Sequence, residues 1–176
     1  MTDVWTQIAG LTPRTTAIRV SGNQAPDSWL ESGMTSRLDE PYRAFLHHYQ
    51  GVEIIPDIEL FDYERALREN AYVERHFALV AQHFWMMGRS GQGDEWLLDD
   101  TCREVWFYDY DQGEYTLDGF VSMGVGIVDF VQAAFLFRAL EDCLDNGDEL
   151  GARQMYQQLQ ARYPELCTRY PYHYFE

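Results

Sequence analysis

Apolar residues first recur at helical spacing across residues 38–50, where Leu38, Tyr42, Phe45, Leu46 and Tyr49 share one face. Asp39 and Glu40 suit the positive end of that helix, Pro41 its first turn and Gly51 its stop. Residues 54–61, Ile-Ile-Pro-Asp-Ile-Glu-Leu-Phe, alternate like a short strand, and 62–82 have helical composition. Three extended pieces follow in quick succession, at 83–88, 94–100 and 104–111. The links between them, 89–93 and 101–103, have lengths that suit antiparallel neighbours. Asp111-Gln112-Gly113 reads as a further turn before 115–123, which completes a β-meander.

The last third of the chain changes period. Residues 127–146 are apolar over one broad face that includes Phe130, Ala134, Phe137 and Leu140 or Leu144. Asn146-Gly147 reads as a C-cap and Asp148 as the next N-cap, ahead of a helix carrying Ala152, Met155, Tyr156, Leu159 and Tyr163 and stopping before Pro164. The tail from Tyr170 to Phe175 is aromatic and is expected to dock on the body. Residues 1–37 mix short apolar runs with turn formers, a strand-and-loop lead-in. Helix, meander and trailing helices segregate along the chain, which predicts an α+β fold: an antiparallel β-meander sheet flanked by helices, with a C-terminal helical extension. The 176 residues suit one domain, 1–176, without internal repeat or linker.

Composition narrows the function. Hydrophobic residues make up 46 % and aromatics 15 %, ample for a packed core. No stretch approaches the roughly 20 apolar residues of a membrane span, and Met1-Thr2-Asp3-Val4-Trp5 lacks a signal-peptide pattern, so a cytoplasmic protein is expected. Cys102, Cys143 and Cys167 are an odd number without paired spacing and read as reduced thiols. The 13 cationic residues are all arginine, and 29 carboxylates bring the net charge to −16. Such a surface repels nucleic-acid phosphates and anionic lipid, and favours a basic protein as partner, although it also serves simple solubility. Every cationic contact in the chain is a guanidinium, suited to bidentate pairing.

Motifs for chemistry are absent. There is no Gly-x-Ser-x-Gly elbow, phosphate loop or His-Glu-x-x-His. The cluster Gly88-Arg89-Ser90-Gly91-Gln92-Gly93 leads from strand to strand, whereas a dinucleotide loop must open a helix. A calcium loop starting at Asp109 fails at the fifth position, Gly113, and the twelfth, Phe120. His47, His48, His76, His83 and His173 are not spaced to share an ion. No catalytic, cofactor or metal residue is therefore expected, nor any cofactor, and the chain is not expected to be an enzyme. One stretch stands out. Between Asp94 and Asp118 nine acids face one base, Arg103, a net of −8 interleaved with Trp96, Trp106, Tyr108, Tyr110 and Tyr115. Some of these aromatics must face the core. The remainder, alternating with acids, form a partner-binding surface drawn from Asp94, Glu95, Trp96, Asp99, Asp100, Tyr108, Asp109, Tyr110, Asp111 and Glu114, unless the stretch is a solvated sheet face.

The order of these pieces resembles the SUKH superfamily, named for its Smi/Knr-type domain. Tyr42-Arg43-Ala44-Phe45-Leu46-His47-His48-Tyr49-Gln50-Gly51 is similar to the family's first helical motif, and Ile58-Glu59-Leu60-Phe61 to the strand after it. The strand Phe84-Trp85-Met86-Met87-Gly88, then Gly93-Asp94, then Trp96-Leu97-Leu98-Asp99 resembles the family hallmark. The likeness covers about residues 38–140 and extends through the strand 105–109 to the helix 127–137; residues 141–176 exceed the minimal domain. The family's Leu-Pro before the first helix appears here as Leu38-Asp39-Glu40-Pro41. The resemblance implies an immunity protein that binds and neutralises a cognate bacterial toxin by protein–protein contact, the acidic surface suiting a basic toxin such as a nuclease. The alternative is a non-catalytic interaction or regulatory scaffold module unrelated to toxin defence.

Overall fold

The computed structural model describes Trp5, Ile8, Gly10, Leu11 and residues 38–99 and 103–175. Most of the 1–37 lead-in, with Asp100, Thr101 and Cys102, lies outside the described residues. Helix α1 (Glu40–His48) begins where the Asp39 carboxylate accepts the Tyr42 N–H, with proline in the first turn, as the sequence predicts. The segment 54–61 is not one strand. It folds back at Pro56-Asp57, so that β1 (Val52–Ile55) pairs with β2 (Ile58–Leu60) as a tight hairpin. Proline presets the turn dihedral and aspartate tolerates the turn, a signal stronger than the alternation around it.

Helix α2 (Tyr63–His76) starts at the Asp62 cap and ends at Phe77, after which α3 (Ala78–His83) turns into the sheet. Strands β3 (Phe84–Arg89), β4 (Glu95–Asp99), β5 (Val105–Tyr108) and β6 (Phe120–Ser122) then join the hairpin in one sheet of order β1-β2-β3-β4-β5-β6, every pair antiparallel. This is the expected α+β meander. Gly88 marks the closest approach of β2 to β3, where a Cβ would collide with the Glu59 carbonyl oxygen. Residues 115–123 form a strand only at their end; the part before it winds into a short 3-10 turn, Leu117–Gly119.

Helices cover both faces of the sheet. Helix α4 (Ile127–Asp145) packs on β1 and α1, and Phe130 sits 4.8 Å, ring to ring, from Trp96 of β4. Gly147, at φ +74°, closes α4 as its sequence position predicts. Helix α5 (Glu149–Arg162) lies against α4, and α6 (Pro164–Arg169) follows. The aromatic tail does dock: Tyr170 stacks between Phe137 and Trp96, at ring separations of 4.4 and 6.0 Å.

On the opposite face α2 is tied to β3 by a buried amide. The Asn70 side chain accepts the Met86 N–H at 2.8 Å and donates to the Met86 carbonyl at 2.7 Å. Strand β2 ends at Leu60, and Phe61 N–H reaches the Met87 carbonyl before the chain leaves the sheet. Asn70 thus stands in for the next residue of the missing strand and satisfies both backbone groups of Met86.

Candidate functional site

Period 2 in the strands aims one cross-strand row at α2. The registers Glu59–Arg89, Arg89–Glu95, Glu95–Tyr108 and Tyr108–Phe120 place these five side chains side by side on that face. Above the middle of the row, a cavity of about 610 Å3 opens between sheet and helix. Glu69, Tyr72 and Val73 of α2 form one wall, Arg89, Glu95 and Tyr108 belong to the floor, and Tyr110 and Tyr115 stand opposite on the loop after β5. A second hollow, about 550 Å3, continues past Phe77 and Tyr115 to Leu79 and Leu117. Phe77 and Tyr115 meet edge to face at 4.7 Å, forming the saddle between the two.

Most polar groups on the floor are engaged, although the buried Arg89 Nε–H has no hydrogen-bond partner among the described residues. The Arg89 guanidinium lies 3.4 Å from Glu69 and 3.3 Å from Glu95, and the Tyr115 hydroxyl donates to Glu95 at 2.5 Å. Burial pushes the Glu95 carboxyl above its ordinary range, while the Tyr115 hydrogen bond and Arg89 pull it back. Burial, and then the Glu95 charge, raise the Tyr115 phenol. What is left open is aromatic. Tyr110 is 64 % exposed, Tyr72 54 % and Phe77 38 %, and Leu79 next to them is 60 % exposed. Most of the large apolar side chains left exposed among the described residues therefore gather around these two hollows.

The expected partner-binding residues divide sharply. Tyr110, Asp111 and Glu114 are exposed on the loop, and Asp109 is half-buried, its carboxylate accepting the Asp111 N–H at 2.8 Å. Glu95 and Tyr108 reach the cavity, but only as its floor. Trp96 is corrected outright. It is fully buried among Phe107, Phe130 and Tyr170, and its indole N–H donates to the Asp57 carbonyl at 2.7 Å, so it offers no surface to a partner. Asp94 is likewise structural. One carboxylate oxygen accepts the Tyr110 N–H at 3.1 Å, and the other accepts Ser90 Oγ at 2.8 Å and the Tyr172 hydroxyl. Asp99 is half-buried at the end of β4, and Asp100 lies outside the described residues.

Sequence reading missed Glu69, Tyr72, Phe77, Leu79 and Arg89. The signal for Tyr72 and Phe77 was large aromatics near the C-terminal end of a helix, off its buried face. Among the described residues no three His, Cys, Asp or Glu side chains converge as a metal-binding group, and no helix is long and apolar enough to cross a membrane. Cys143 and Cys167 are free thiols. No family model, curated protein or solved structure matches the chain.

Proposed function

We propose that this chain binds a basic protein partner on the α2 face and, in keeping with its resemblance to SUKH immunity proteins, neutralises a cognate toxin by covering it. One observation carries the reading: exposed Tyr72, Phe77, Leu79 and Tyr110 ring two connected hollows beside a loop, 109–118, that holds four carboxylates and no cation. Tyrosine-rich hollows anchor interfaces because rigid aromatic rings bury much area at little entropic cost. Carboxylates at the edge steer a basic partner in and set the association rate. The engaged floor, with Arg89, Glu95 and Tyr115 bound to one another, suits binding better than turnover, since none of these groups stands ready as a free nucleophile or base.

The test is co-expression, in a susceptible host, of the chain and the protein encoded immediately upstream of it. Growth restored by the wild type and lost with the Tyr72→Ala/Tyr110→Ala pair supports the reading. Undiminished toxicity in the presence of the wild-type chain sinks it.

A further inference from the structure

The larger hollow has a chemistry of its own. Its lining presents two carboxylates, Glu69 on the α2 wall and Glu95 on the floor, against one guanidinium, Arg89. Arg68 reaches Glu69 from outside at 3.3 Å and does not line the hollow. The carboxylates of Asp111 and Glu114 are exposed on the loop that carries Tyr110 and Tyr115. The walls carry the phenol rings of Tyr72, Tyr110 and Tyr115, the first two more than half exposed. An anion entering here would meet the acidic loop, and a neutral apolar group would leave the carboxylates without a new partner. A cation meets both the negative ring faces and the acids.

Among cations, the geometry favours a planar one. Arg89 shows that the floor accommodates a guanidinium between Glu69 and Glu95, and each carboxylate keeps acceptor sites beyond the contacts it already makes. The chain pairs guanidinium with aromatic faces elsewhere: Arg65 lies 4.2 Å above Phe61 and Arg153 4.9 Å above Phe175. A guanidinium is also less strongly hydrated than an ammonium, so a half-open hollow strips its water at lower cost. We infer that the hollow between α2 and the 109–118 loop receives an arginine side chain of the bound partner, held against Tyr72 and Tyr110 and facing Glu69 and Glu95. This inference rests on the α2 face being the partner-binding face, and its test is independent of any partner.

The test is an NMR titration of the full chain, following the ring signals of Tyr72, Tyr110 and, as reporters present in every variant, Phe77 and Tyr115, with four probes: acetyl-arginine amide, the neutral isostere acetyl-citrulline amide, acetyl-lysine amide and tetramethylammonium. A ligand of this size is expected to bind in the millimolar range. Saturable shifts with the arginine probe, weaker by about three- to fivefold in Tyr110→Ala and again in Tyr72→Ala, support the assignment. Both rings are largely exposed, so these variants are expected to fold, and their melting curves verify it. Equal binding of citrulline, tighter binding of lysine or tetramethylammonium, or shifts that survive the Tyr72→Ala/Tyr110→Ala pair would overturn it. A chain that protects against its toxin yet ignores the arginine probe refutes this inference alone. A chain that binds the probe but does not protect refutes the proposed function alone.

Discussion

On the α4 face of the sheet, tyrosines turn inward. Tyr170 packs between Phe137 and Trp96, the Tyr174 hydroxyl donates to Glu141 at 2.6 Å, and that of Tyr172 donates to Asp94. On the α2 face, Tyr115 donates to Glu95 in the same manner, but Tyr72 and Tyr110 leave their rings in water. The two faces use one pair of residue types, phenol and carboxylate, for opposite ends. Where the chain supplies its own aromatic tail as the cover, the array is a piece of the core. Where the described residues supply none, the same chemistry remains free for another molecule. Tyrosine serves both because its ring buries well and its hydroxyl still finds a carboxylate when covered.

The closed face is where substitutions should cost most. Phe137 is buried and stacks on both Tyr170 and Tyr174. Phe137→Ala is expected to cost about 3–5 kcal/mol, read from the urea midpoint; a loss below about 1 kcal/mol would mean that the tail packs on nothing essential. Next comes Asn70→Ala beneath the open face, which leaves the Met86 N–H and carbonyl without partners. The expected loss is about 2–4 kcal/mol, with faster amide exchange at Met86 than elsewhere in β3.

A smaller effect separates the faces by pH. Burial, and then the charges of Glu141 and Asp94, push the Asp57 carboxyl from 3.8 up to about 6. Between those values the folded chain keeps a proton that the unfolded chain releases. The contribution of Asp57 is therefore fully present below about pH 4 and is lost as pH rises through about 6. In Asp57→Asn this loss disappears. The stability difference, wild type minus variant, should fall across that window in a series of urea melts; a flat difference refutes the assignment. Smallest of all is Tyr110→Ala, whose exposed ring should change stability by no more than about 0.5 kcal/mol while weakening partner binding.

How far the sequence foretold these two faces depends on whether the signal was local. The helix 127–146, the acidic start of the first helix at Asp39, the Asp148 cap and the β-meander are all written in neighbouring residues, and the structure has them. The hairpin at Pro56-Asp57 was local too, but the alternation of isoleucines masked it. The alternation of acids and aromatics after Asp94 misled for a physical reason. A sheet covered on both faces buries most positions of its central strands on either side, so Trp96 and Glu95 are both inside, facing opposite ways. The open hollow draws on α2, the α2–α3 junction, β3 and the loop after β5, and only packing brings those together. Of its exposed aromatics Tyr110 alone was legible, because it sits in the acidic turn itself, while Glu95 and Tyr108 were named as surface and proved to be floor.

Asp94 has one more bearing on the molecule. Its two oxygens hold the backbone of Tyr110 on one side and the hydroxyl of Tyr172 on the other, so a single side chain is the hinge pin between the tail and the wall of the hollow. Anyone adding a reporter or affinity handle near residue 172 would pull on that pin and disturb a surface formed by residues some sixty positions earlier in the chain. A handle in the α4–α5 turn, at the exposed Asn146 and Gly147, spares it.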